Sequence, residues 1–356
     1  MRIVQIVDSL QIGGAERMAV NYANALSKEV TFSGLIVTRK EGQLFDQIDE
    51  NVSYLFLNKK SKLDIKAVLK LRRYILNNRI EIIHAHSTSF FTAVLVKLTL
   101  PRTKIFWHDH FGNRAAESKS KNKILIFCSF FFASIFATSQ QLEDWSKKNM
   151  FCKNVFFIPN FILDTKDNLQ TTKLKGILGR RIVFLANLKE PKNHILMLKA
   201  FQDLRLQESG WTLHLIGKDY FDSYSVCLKE FIRFNSLESY IHLYGERNDI
   251  KYILSQSSVG VLASTNEGFP ITLLEYASEK LAVLSSNIGY CSQIIENGFN
   301  GLLFDPLNYL ELKDQLKLLT NDEALRTTLA VNFSKSAVKK YSKSAVIKKV
   351  IQLYKN

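Results

Sequence analysis

Proline and cysteine are both scarce, five and four among 356 residues. So few prolines, with charged residues at 23% and no low-complexity tract, exclude a long disordered region, and the whole chain is expected to fold. The cysteines, Cys128, Cys152, Cys227 and Cys291, are far apart, with no CxxC pair and no histidine at metal-ligand spacing. That excludes a disulfide framework and a thiolate metal site, and they read as buried or idle thiols in a reducing compartment. A long apolar run is missing too. The longest, Ile124 to Ala137, is about 14 residues, short of the roughly 20 that a membrane-spanning helix takes. The opening MRIVQIVDSL has no apolar region followed by a small-residue cleavage site. These absences predict a cytoplasmic protein without a transmembrane helix. The run itself has two readings: a buried helix leading into a buried strand, or an interfacial helix dipping into a membrane beside Lys119, Lys121 and Lys123.

What is present is apolar residues, 46% of the chain, in a length that exceeds what one core usually fills. Two domains are expected. Net charge is +15, and the first 160 residues carry 23 Lys/Arg against 13 Asp/Glu. Lys59, Lys60, Lys62, Lys66, Lys70, Arg72, Arg73 and Arg79 crowd one predicted helix. That helix reads either as a surface for anionic lipid or a phosphate-bearing acceptor, or as a solvated face. No aromatics interleave these charges at a recognisable spacing, which argues against nucleic acid.

Short apolar runs alternate with helical periodicity. In the first 160 residues the strand-like runs are Ile3–Val7, Thr31–Val37, Val52–Leu57, Ile80–Ala85, Lys104–Trp107, Ser134–Thr138 and Val155–Ile158. Helical segments such as Ala15–Ser27, Leu63–Asn77 and Gln140–Lys148 lie between them. A polar stretch, Asp164 to Arg180, is the linker candidate. The alternation then restarts with Ile182–Ala186, Trp211–Ile216, Ile241–Tyr244, Val259–Leu262, Ala282–Ser285 and Gly301–Phe304, and from about Leu307 the chain reads as helix. Alternation of this kind builds α/β domains with a doubly wound parallel sheet, Rossmann-like, whose ligands bind at the carboxyl ends of the strands. Two such domains are expected to face one another across a cleft, the natural place for a ligand.

Three motifs follow strands. Ser264-Thr-Asn-Glu267-Gly268-Phe269-Pro270-Ile-Thr272-Leu273-Leu-Glu275 comes directly after Val259–Leu262. Pro270 suits a first helical turn, so a helix is expected to start there, its free N–H groups and positive dipole end forming a diphosphate site. Gly268 allows close backbone approach, and Glu267 and Glu275 are acceptors for paired hydroxyls on a sugar or ribose. The plainer alternative is a solvated helix face after an ordinary turn. Gly13-Gly14-Ala15-Glu16 opens a helix after Ile3–Val7 without GxGxxG spacing, and reads equally as a tight turn. His108-Asp109-His110 follows Lys104–Trp107, with alternate residues facing one way. Two histidines are too few for a metal and there is no Asp-x-Asp, so a metal-independent site is expected.

Together these residues resemble the retaining glycosyltransferases of family 4, which have the GT-B fold, over essentially the whole chain. Gly13 to Glu16 looks like that family's glycine turn, Ile158-Pro159-Asn160 like its domain junction, and Leu185 to Leu198 like the segment opening its second domain. Glu267 to Glu275 is similar to its Glu, seven residues, Glu pattern, and Gly298 to Pro306 to the following loop and strand. The resemblance implies that Glu267 contacts donor-sugar hydroxyls and that Glu275 binds the ribose. It implies that Lys192 neutralises the diphosphate and that backbone amides of Gly268, Phe269, Thr272 and Leu273, around Pro270, reach sugar and phosphates. Gly13 and Gly14 would leave room for the donor, and His110, or alternatively His108, would approach the sugar. Asn187 stands where the family usually has Arg, with Arg180, Arg181 or Lys189 as alternative cations. Phe161 stands where Gly is usual.

The implied activity is transfer of a sugar, with retention, from a nucleoside diphosphate, UDP by family default, to a hydroxyl acceptor. Glu267, His110 and Lys192 would be the catalytic residues, with no metal and no cofactor. A lipid-linked glycan in cell-surface polysaccharide assembly is the expected acceptor, with peripheral association with an anionic membrane and no nucleic acid. The alternatives are a catalytically silent nucleotide-sugar-binding subunit and a sugar-nucleotide epimerase. The expected domains are 1–162, 163–335 and a C-terminal helix over 336–356 packing back on the first.

Overall fold

The computed structural model describes residues 1–111, 114, 117, 119–161 and 170–355. The chain divides into two compact units: Met1–Leu163 with Tyr341–Asn356, and Asp164–Lys340. Residues 162–169, where the expected boundary and the start of the linker fall, lie outside the described residues. The later boundary, expected at 335, falls inside a helix that runs unbroken from Glu323 to Tyr341, and the units part at its end.

Unit 1 contains β1 (Arg2–Ser9), α1 (Gly14–Ser27), β2 (Phe32–Lys40), β3 (Ser53–Phe56), α2 (Ile65–Asn77), β4 (Ile82–His86), α3 (Phe90–Thr99), β5 (Lys104–Asp109), α4 (Lys123–Cys128), β6 (Ser134–Ala137), α5 (Gln140–Asn149) and β7 (Val155–Phe157). Its strands form one parallel sheet in the order β3-β2-β1-β4-β5-β6-β7. Strand order reverses between β1 and β4, which makes the carboxyl ends of those strands the natural ligand edge. The strands read as near-continuous apolar runs because both faces are covered by helices.

Unit 2 contains β8 (Arg181–Leu185), α6 (His194–Asp203), β9 (Thr212–Ile216), α7 (Ser223–Phe234), β10 (Ile241–Gly245), α8 (Ile250–Ser255), β11 (Val259–Leu262), α9 (Ile271–Ser278), β12 (Ala282–Ser286), α10 (Cys291–Ile294), β13 (Leu302–Phe304), α11 (Tyr309–Asn321) and α12 (Glu323–Tyr341). The sheet order β10-β9-β8-β11-β12-β13 repeats the first design, with reversal between β8 and β11. Gln170 to Arg180, read as linker, is tied down: Thr171 and Thr172 donate four hydrogen bonds to the Asp249 carboxylate. The last helix, α13 (Lys343–Lys355), belongs to unit 1, where buried Tyr354 meets His84.

Ile124 to Ala137 departs from both of its simple readings. It is α4, a turn of 3₁₀ helix over Ser129–Phe131 and β6. The strand is buried, but Ile124, Phe127 and Phe130 are exposed. Among the described residues no helix is long and apolar enough to cross a membrane.

Candidate active site

The loops after β8 and β11 flank the reversal point of unit 2 and are joined there. Thr265 N–H donates to the Pro191 carbonyl at 2.9 Å. Lys192 Nζ lies 2.6 Å from Glu267 Oε1, which also accepts from Ser264 Oγ at 2.6 Å. Both bonds fall on one carboxylate oxygen, and Oε2 keeps the capacity to accept further hydrogen bonds. Behind this pair, Gly289 sits at φ +56° where a Cβ would come within 1.9 Å of the Glu267 carbonyl, so only glycine lets that loop close. Tyr290 N–H then donates to the Gly268 carbonyl at 3.1 Å, and its ring stacks on Phe269 at 5.2 Å.

Pro270 precedes α9 as its cap residue, with extended backbone at ψ 98°, rather than occupying the first turn. Leu273 N–H bonds back to the Pro270 carbonyl, so the third helical amide is already used, and its side chain lies in the core. Among the described residues, no protein group accepts from the amides of Ile271 and Thr272, which open α9 toward an anion. Glu275 is half-buried, four residues after Ile271 and so on the same helix face. The opposite side is anchored: the Tyr276 hydroxyl accepts from Leu185 N–H at 2.9 Å and donates to the Val261 carbonyl at 3.0 Å, bridging β8 and β11.

Asn187 directs Oδ1 to Lys218 N–H at 2.9 Å, a bond that joins the ends of β8 and β9. Lys218 and Lys189 hold their ammonium groups 5.4 and 5.8 Å from the centre of the Tyr220 ring. Arg181 does not reach this edge. It begins β8 at the amino end and binds the carbonyls of Lys175, Gly176 and Gln256, while Arg180 binds the Ser209 carbonyl. Lys218, the second residue past β9, is a cation at this edge that the sequence analysis did not single out, beside Lys189, which it did.

In unit 1, Gly13 caps α1 and Gly14 is its first residue. The Glu16 carboxylate folds back against Gly13, accepts from Ser9 Oγ at 3.3 Å, and is held above its ordinary pKa by burial. His108 and His110 stack at 4.2 Å, on the same face as expected, but only His110 is partly exposed; His108 is fully buried. Asp109 points the other way, paired with Arg114. The sequence missed their neighbours on β4, His84 and His86, whose alternate spacing in the buried run IIHAH was the available signal. His86 Nδ1 lies 3.0 Å from His110 Nε2, and its Nε2 lies 2.9 Å from Gln5 Oε1. Burial holds His84, His86 and His108 well below the ordinary imidazole pKa and pushes His110 down to about 3.

His84, His86 and His108 each place a nitrogen within 4.8 Å of the others. His86, however, spends both nitrogens on Gln5 and His110, leaving fewer than the three protein ligands of even an open zinc site. As folded, His86 bonds Gln5 and His110, and His84 bonds Tyr354, while both nitrogens of His108 and Nε2 of His84 are buried without a hydrogen-bond partner among the described residues; Tyr22 packs on the rings, and the buried Phe161 meets Tyr22 edge-on at 5.0 Å.

Two doubly wound sheets, with a carboxylate–ammonium pair and open helix amides at one reversal point, define a GT-B type architecture. Residues 12–165 match glycosyltransferase family 4, and residues 178–340 match the glycosyl transferases group 1 family. The chain belongs to the family 4 type of glycosyltransferase. An uncharacterized glycosyltransferase of Haemophilus influenzae is 24% identical over 88% of each chain. A Campylobacter jejuni protein named GalNAc-alpha-(1->4)-GalNAc-alpha-(1->3)-diNAcBac-PP-undecaprenol alpha-1,4-N-acetyl-D-galactosaminyltransferase is 25% identical over 99% of this chain and 98% of its own. Among solved structures, Anabaena HepE in complex with UDP and glucose superposes with a TM-score of 0.82, at 16% identity, covering 100% of this chain and 99% of that one.

Proposed function

We propose that the protein transfers a sugar from a nucleoside-diphosphate donor, UDP-linked by preference, to a hydroxyl of a lipid-linked glycan, with retained anomeric configuration and without a metal. The observation that carries this reading is the Lys192–Glu267–Ser264 cluster beside the Ile271 and Thr272 amides. Glu267 orients the sugar through its remaining oxygen, Glu275 takes the ribose hydroxyls, and Lys192 with the α9 amides stabilises the departing diphosphate by fixed charge. The bond from the anomeric carbon to the diphosphate breaks as the acceptor oxygen attacks from the same face, and the acceptor proton leaves with the phosphate. No protein nucleophile is needed. In unit 1, Gly13, Gly14 and His110 are the residues assigned to substrate, and Glu16 must swing off the α1 terminus if phosphate is to approach it. Relatives named for diphospho-undecaprenol-linked acceptors support the choice of acceptor.

A panel of nucleotide sugars screened by thermal shift tests the donor, since a true donor raises the melting temperature by mass action. The product's anomeric coupling constant then reports configuration, and activity in EDTA reports metal independence. Inverted product or loss of turnover in EDTA contradicts those parts. Epimerised free donor with no acceptor consumed favours an epimerase, and no turnover by the purified chain favours a silent binding subunit.

Peripheral attachment to an anionic membrane belongs to the same proposal. On α2 the exposed Ile65, Leu69 and Leu76 run beside exposed Lys66, Lys70 and Arg73, and α4 adds Ile124 and Phe127. Apolar and basic residues sharing one exposed face suit an interface with acidic lipid better than bulk water. Lys59 is not part of it, being buried on the Thr92 hydroxyl.

A further inference from the structure

We infer that Gln5, acting through His86, is a positioning residue that holds His110 in the tautomer with its proton on Nε2, so that Nδ1 is presented as an acceptor to a hydroxyl-bearing ligand. This rests on the reading of His110 as a substrate contact.

Gln5 is fully buried on β1, His86 ends β4, and His110 follows β5, so the three span adjacent strands at the reversal point of unit 1. An amide oxygen only accepts, so His86 Nε2, 2.9 Å from Gln5 Oε1, carries a hydrogen. The His86 ring is neutral because burial disfavours its charged form, and Nδ1 is therefore a lone pair. His110 Nε2, 3.0 Å away, must donate to it. The ring centres are 5.2 Å apart with planes 20° from parallel, which is that nitrogen separation plus about a ring radius at each end, as an in-plane, nearly straight bond requires. His110 is neutral as well, which leaves its lone pair on Nδ1.

The direction of the relay depends on which end of the Gln5 amide faces His86. The carbonyl end is the one that lies at His86, while the amide nitrogen of Gln5 is buried without a hydrogen-bond partner among the described residues. Turning the amide over would reverse every bond and make His110 Nδ1 a donor. Tyr354 itself is 2.6 Å from His84 Nδ1.

Long-range ¹H–¹⁵N spectra of the full-length protein with labelled histidine read the tautomer directly at pH 7. The expected result is a protonated Nε2 and a bare Nδ1 on His110; a protonated Nδ1 overturns the proposal without any variant. Gln5→Leu should give mixed tautomers and lower kcat by about three- to tenfold with little change in donor KM, the loss of one neutral hydrogen bond in the transition state. Gln5→Glu should charge His86, which then donates from both nitrogens and inverts His110. An unchanged His110 tautomer in both variants overturns the role of Gln5. If His110→Ala keeps full turnover, the substrate-contact reading fails and the role of Gln5 fails with it. If His110→Ala is inactive while the tautomer ignores Gln5, only the present proposal fails.

Discussion

Lys192 and Glu267 were read from the sequence as separate agents, one for the diphosphate and one for the sugar, yet they hold one another at 2.6 Å. Replacing Lys192 by Ala removes a charge-assisted bond and leaves the carboxylate to Ser264 alone. Turnover is expected to fall roughly 10- to 200-fold, while Glu275→Ala should chiefly weaken donor binding; unchanged steady-state kinetics in both would exclude this cluster. The buried imidazoles give a second expectation. His84, His86 and His108 stay neutral in the fold, whereas unfolded histidine gains a proton below about pH 6.5, so the unfolded state takes up more protons as pH falls. Stability should therefore decline below that pH, by up to about 1.4 kcal/mol per histidine per pH unit. Urea midpoints equal at pH 7 and pH 5 would contradict it. The motif after β11 was legible because its residue types are unusual in combination. His86 and Gln5 were not, since a polar residue inside an apolar strand declares its partner only once neighbouring strands are aligned.

The thirteen strands among the described residues were all legible, with ends placed to within about three residues, because parallel strands covered on both faces leave uninterrupted apolar runs in sequence. Helix starts were less so: Pro270 fits either the cap or the first turn, and only its ψ of 98° separates them. The seating of α9 offers a sharp test. A Cβ at Gly260 would lie 2.6 Å from the Tyr276 ring, whose hydroxyl already ties two strands together. Gly260→Ala should destabilise unit 2 by about 1–3 kcal/mol, read by denaturant unfolding, and should also weaken donor binding because α9 moves with the ring. On α2, replacing Ile65 and Leu69 by Ser should reduce flotation with anionic liposomes; recovery of the wild-type protein solely in the soluble fraction would remove the membrane proposal.

Each unit repeats one sheet order, but only unit 2 is continuous in sequence. Unit 1 closes with α13, which brings Val346, Ile347, Val350 and Tyr354 into its buried interior. A chain truncated after Tyr341 should therefore lose unit 1 stability while unit 2 keeps its own unfolding transition, and a single undiminished transition would contradict that division. The return of α13 also sets an order of events on the ribosome. At elongation rates of about 5–20 residues per second, nearly two hundred codons separate the seventh strand from the segment that covers its sheet, so the later-made unit is able to finish first. Until α13 is made, the places that Val346, Ile347, Val350 and Tyr354 fill in the amino-terminal unit have nothing from this helix to cover them.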